Sequence, residues 1–146
     1  MRFERAVPVL QVADVGRSID WYVAAFGFDP DPFPPKPPYG FAILRRDSIE
    51  IMLQHGEPSA ARDPKNEGWA VYLRIAGDGL LQLAESVRRA TPLVRGPERM
   101  FYGLVEFEVI DPDGYRVCVS GSVPADANVP AAREREETST TTTRTR

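Results

Sequence analysis

"VLQVADVG", residues 9 to 16, returns 63 positions later as "YLRIAGDG", residues 72 to 79, and the same offset lays Tyr39-Gly40 on Tyr102-Gly103. A long period with only two copies points to one pseudo-symmetric domain and not to a solenoid. In the first copy "AVPVLQVAD" reads as a strand, with Asp14 placed to cap the helix that follows. Ile19, Tyr22, Val23 and Phe26 then fall at i, i+3, i+4 and i+7, the spacing of a helix with one buried face, and Gly27 can end it. In the second copy "WAVYLRI" is the strand, Asp78 the candidate cap, and Leu80, Leu83, Ala84 and Val87 repeat the helical spacing.

Each helix leads into a segment poor in regular pattern and then a hairpin. The first segment, "DPDPFPPKPP", has six prolines between positions 30 and 38, which removes backbone donors and confines it to an extended, edge-like path. A two-residue loop at Arg46 and Asp47 would set Ile43 opposite Glu50 and Phe41 opposite Met52. One face of that hairpin then carries Tyr39, Phe41, Ile43, Glu50 and Met52, and the other Ala42, Leu44, Ile49, Ile51 and Leu53. In the second copy "DPDG" joins "GLVEFEVI" to "YRVCVSG". A type I turn with Gly114 left-handed pairs Asp111 with Tyr115, Glu108 with Cys118 and Glu106 with Ser120. The alternative register would bury Glu106 beside Val119 beneath the helix, at the cost of an unpaired carboxylate. The expected fold is α+β: two βαβββ units forming a curved mixed sheet, helices on one side and a concave cavity on the other. That hollow is the place for a ligand.

At 146 residues and 42% apolar composition the chain fits one domain, and its net charge of -3 argues against nucleic acid as a partner. One cysteine excludes an internal disulfide, and no apolar stretch approaches the roughly 20 residues of a membrane span. Nothing near Met1 resembles a secretory signal, so a cytoplasmic location is expected. The domain is expected over residues 1–122, with repeats at about 5–54 and 68–121. Residues 123–146, "VPADANVPAAREREETSTTTTRTR", hold no large aromatic side chain and are expected to be a disordered tail.

Paired units of this kind, with an opening "VPVLQVADVGRSIDWYVAAFGF" and a close "YGLVEFEVIDPDGYRVCV", resemble the vicinal oxygen chelate superfamily of glyoxalases, extradiol dioxygenases and bleomycin resistance proteins. The resemblance covers about residues 5 to 121. It implies that the metal-ligand positions of catalytic members fall on Val7, Glu50, Ala70 and Cys118. Of these only Glu50 is a typical ligand, so no metal or other cofactor is expected, and His55 reads as a loop residue. Cys118 is expected to be a buried, soft wall residue. The branch most resembled implies a homodimer that sequesters an aromatic or cationic molecule without chemistry. Candidate lining residues are Phe33, Tyr39, Phe41, Met52, Tyr72, Phe101, Tyr102 and Cys118, with Glu50, Glu106 and Glu108 supplying negative charge. Trp21 and Trp69 are assigned to packing. The rival reading is a metal-dependent lyase or ring-opening dioxygenase that uses Glu50 with a nonstandard ligand set. A third is an accessory module with a collapsed groove.

Overall fold

A computed structural model describes residues 1–59, 65 and 67–133. The first unit runs β1 (Val9–Val12), α1 (Val15–Phe26), β2 (Asp29–Phe33), β3 (Phe41–Arg46) and β4 (Ile49–His55). The second runs β5 (Trp69–Arg74), α2 (Leu80–Ala90), β6 (Arg95–Arg99), β7 (Val105–Ile110) and β8 (Arg116–Gly121). Each unit is therefore strand, helix and three strands, as the repeat predicts. The strands form two separate four-stranded sheets, ordered β1-β4-β3-β2 and β5-β8-β7-β6, each with one parallel pair and no closure into a barrel.

The helices form for legible reasons. The Asp14 carboxylate accepts the Arg17 amide at 3.0 Å at the start of α1, and Gly27 ends it at φ 66. The α1 face made of Ile19, Tyr22 and Phe26 is buried, whereas Val23 is exposed. The expected cap of α2 is corrected: Gly79, not Asp78, holds the N-cap position, and no side chain caps it. Arg88 and Arg89 in the last turn of α2 complement the helix dipole instead.

Beneath the helices Leu44, Ile51, Leu53, Val105, Phe107, Val109, Val117 and Val119 are all at most 1% exposed and belong to one apolar cluster that spans both units. The β7–β8 register is the expected one, Glu108 facing Cys118 and Glu106 facing Ser120. The β3–β4 register is corrected by two positions: Arg45 faces Glu50 and Ile43 faces Met52, because the turn is Asp47-Ser48, with Asp47 left-handed at φ 50. A slip of two leaves every side chain within β3 and β4 on its predicted face.

The units are joined by α1 packing on α2 and by polar contacts around the β7–β8 turn. Tyr22 donates to Asp111 at 2.8 Å, Ser18 to Asp113 at 3.3 Å, and the Tyr115 hydroxyl to the Gln11 carbonyl at 2.7 Å. Beyond β8, Ala131 makes a parallel bridge with Arg99 on β6, and Val123 and Val129 pack on the core. Residues 134–146 of the expected tail lie outside the described residues.

Candidate functional site

Along β7, alternation sends Val105, Phe107 and Val109 under the helices and leaves Glu106 and Glu108 on the opposite, concave face. Both carboxylates are buried, at 0% and 2% exposure, so each needs partners. Two bulges supply them. On β6, three positions from Arg95 to Glu98 oppose the two from Glu108 to Glu106, with Gly96 at φ 76 between them, and both Arg95 and Glu98 then reach the concave face. Arg95 donates to Glu108 at 2.7 Å, to Glu106 at 2.9 Å and to Glu98 at 2.6 Å, and its Nη2 lies 3.8 Å from the Cys118 sulfur. On β5, an extra residue between Trp69 and Val71 breaks the alternation. Trp69 therefore stands beside Arg116 on the concave face, where it is 48% exposed and donates its indole N–H to Glu108. The expected assignment of Trp69 to packing is corrected for that reason. Trp21 packs against the core with its ring edge-on to Tyr22 at 4.7 Å.

Glu106 in turn accepts from Tyr72 at 2.9 Å and from Tyr102. The two carboxylates thus anchor three aromatic side chains by their polar ends, while Trp69, Tyr72 and Tyr102 keep between 38% and 48% of their surface open. The Trp69 and Tyr72 ring centroids are 5.0 Å apart. Burial alone would raise the two carboxyl groups. For Glu106 the hydrogen bonds from Tyr102, Arg95 and Tyr72 outweigh it, and for Glu108 those from Arg95 and Trp69, so both are held below the ordinary carboxylate value. Burial, with Glu106 and Tyr72 close by, pushes the Tyr102 phenol up. The Cys118 thiol is also driven up, first by burial and then by Glu106, which is the opposite of what a reactive thiol needs. Three carboxylates (Glu98, Glu106, Glu108) against two guanidinium groups (Arg95, Arg116) leave the cluster with one net negative charge.

The first unit contributes a different surface. Phe33 and Phe41 lie 5.9 Å apart at the outer edge of their sheet, and Met52 is half-buried opposite Ile43. Glu50 is not a free charge: Arg5 lies 3.0 Å from it and Arg45 3.2 Å, with Arg45 also 3.1 Å from Asp31. Two of the expected lining residues are elsewhere. Gly40 hydrogen-bonds back to Phe33 and β3 begins only at Phe41, so Tyr39 escapes the strand alternation and packs beside Gly16 at the start of α1. Phe101 is 97% exposed at the tip between β6 and β7, edge-on to Tyr102. His55 is the last residue of β4, paired with Val12, and exposed.

A cavity of about 390 Å³ opens between the units, lined among others by Val7, Glu50, Ala70, Tyr72 and Arg74. Three of the four positions that the resemblance assigns to metal ligands thus meet at one cleft. The donor chemistry does not fit a divalent ion: valine and alanine offer no donor, and Glu50 is held by two arginines. Among the described residues no group of three or more His, Cys, Asp or Glu side chains is arranged to hold a metal. The residues the sequence reading missed are Trp69, Arg95 and Glu98, whereas Arg116 lies on the face that the β7–β8 register predicts for it. "RGPER" carries no period of two, and the β5 bulge leaves no mark in "WAVYLRI".

An incomplete pair of βαβββ sheets around a hollow defines the class, and residues 4–119 match the model of the Glyoxalase/Bleomycin resistance protein/Dioxygenase superfamily. The chain belongs to that superfamily. Comparison with curated proteins gives no match. Among solved structures, TioX from Micromonospora sp. ML1 is 20% identical, with 85% of this chain and 100% of that chain covered at a TM-score of 0.63. A glyoxalase-related enzyme from Clostridium phytofermentans is 16% identical, covering 84% and 98%, at 0.62. A glyoxalase/bleomycin resistance protein/dioxygenase from Nocardioides is 15% identical, covering 91% of each chain, at 0.61. At these identities the likeness is one of fold. No helix among the described residues is long and apolar enough to cross a membrane.

Proposed function

We propose that the protein is a metal-independent binder that sequesters a flat aromatic molecule, cationic in its preferred form, on the Trp69, Tyr72 and Tyr102 shelf. The observation that carries this reading is the anchoring of those three rings to Glu106 and Glu108, which fixes their orientation before a ligand arrives and so lowers the entropy lost on binding. Stacking on the open rings supplies most of the affinity. The single net negative charge of the cluster beneath favours a cation only modestly, because Arg95 and Arg116 together already neutralise two of the three carboxylate charges. The exposed apolar residues Val9 and Phe33, at 52% and 46%, support a groove completed by a second copy of the chain in a homodimer.

The test is fluorescence and thermal titration with a bleomycin-class glycopeptide and with a flat cationic dye such as acridine orange. Binding of either should quench tryptophan emission and stabilise the fold by about 2.7 kcal/mol at 100 times Kd, unchanged by EDTA and without conversion of the ligand. Trp69→Ala should weaken binding at least tenfold. Absence of any shift with both probes, or metal-dependent conversion of either, would refute the reading.

A further inference from the structure

We propose a second ligand site, independent of the aromatic shelf: the cleft between the β3–β4 turn of the first unit and α2 of the second binds an amphipathic anion, a medium-chain carboxylate in its simplest form. This cleft encloses about 500 Å³, within the usual range for small-molecule sites. Its floor is apolar, built from Phe28, Ile49, Leu73 and Leu83, and Ile49, at the start of β4, is 41% exposed. Its rim is cationic, with Arg46 from the first unit and Arg74 from the second lining the same space.

Neither arginine is fully committed. Arg46 donates one N–H to the Phe26 carbonyl, and its one ion pair among the described residues is with Asp47 at 3.8 Å, whose side chain is 90% exposed and therefore screened by water. Arg74 is exposed and has no ion pair or hydrogen-bonding partner among the described side chains. Among the described lining residues Asp47 is the one carboxylate, so in a chain of net charge -3 this cleft is locally positive. An alkyl chain satisfies the floor, and a carboxylate head accepts from the two guanidinium groups. Residues 134–146 have no aliphatic or aromatic side chain, so that segment does not suit the floor.

Calorimetric titration of the full chain with decanoate below its micelle concentration, with decyltrimethylammonium and with acetate, tests the site. Saturable one-to-one binding of decanoate is expected, with decyltrimethylammonium at least tenfold weaker and acetate silent. Arg74→Gln, a change at an exposed unpaired position that should leave the fold intact, should weaken decanoate about tenfold, the loss of one charge-assisted hydrogen bond. Trp69 quenching by aromatic probes should be unaltered in that variant, which keeps this proposal separable from the preceding one. No binding of decanoate, equal binding of the cationic surfactant, or unchanged affinity in Arg74→Gln would overturn it. So would a dimer that Leu83→Glu dissociates and decanoate does not, since a second copy would then fill the cleft.

Discussion

Glu106 and Glu108 sit where a strand's alternation would ordinarily put groups facing water, yet they are buried, and everything around them is arranged to keep them ionised. Glu106→Gln removes the charge that accepts from Arg95, Tyr72 and Tyr102 while Arg95 keeps Glu98 and Glu108, so it should cost about 1.5–3 kcal/mol, the loss of a charge-assisted hydrogen bond, read as a lowered urea midpoint at unchanged slope. The two glutamates also fix the pH response. Each is held below its ordinary value of 4.5 in the fold, so the stability they contribute is complete above pH 4.5 and is lost as pH falls through their lower folded values. Unfolding midpoints measured from pH 7 to 3 should fall below about 4.5, and Glu108→Gln should flatten that decline. Asp111 works in the opposite sense: burial raises it above 3.8, so protonation there favours the fold and offsets part of the loss. Asp111→Asn should therefore steepen the decline.

At the scale of elements, the parts legible in sequence are those set by short-range chemistry. The "DPDG" turn dictates its own geometry, Gly114 at φ 88 and the Asp111 amide bonded to the Tyr115 carbonyl at 2.9 Å, and the whole β7–β8 register follows from it. The helices follow from apolar spacing, and so do their faces apart from Val23, which is exposed. The β3–β4 turn has no such signature, which is why its register is offset while its faces are kept. What escaped was irregular: one inserted residue in β5 carries Trp69 across the sheet, and one in β6 brings Arg95 onto the carboxylates. A bulge is invisible to a period of two, and the site's cation and its largest ring both depend on one. Glu106, Glu108, Tyr72 and Cys118 stand where regular alternation places them, whereas Tyr102 reaches Glu106 from the turn before β7, outside any strand; Tyr39 was misplaced because alternation was extended past the end of β3. The β6 bulge should be brittle. A Cβ on Gly96 would lie 2.3 Å from the Glu106 carbonyl oxygen, at a φ that L residues avoid. Gly96→Ala should therefore cost more than about 3 kcal/mol in urea unfolding and, by shifting Arg95, weaken aromatic probes at the shelf as well.

For the molecule as a whole, the question is what makes two units one domain when, among the described residues, no β-ladder joins their sheets. The apolar cluster answers in part, since it runs unbroken from Leu10 and Tyr22 to Val105 and Val119. The directional part is the latch at Asp111. Its carboxylate accepts the Tyr22 hydroxyl from the first unit at 2.8 Å and the amides of Asp113 and Tyr115 within its own turn at 2.9 Å each. Tyr22→Phe keeps the ring, which stays edge-on to Phe28, and removes only the hydroxyl. Because the acceptor is a buried carboxylate, the loss should be about 1.5–3 kcal/mol, more than a neutral hydrogen bond would give. Trp21 reports on the first unit and Trp69 on the second, so Trp69→Phe and Trp21→Phe chains each follow one half. If the shared core makes folding all-or-none, both probes should give a single coincident transition, and Tyr22→Phe should move the two together. Separate midpoints would mean that each unit folds by itself and that the cleft between them is a joint and not a seam.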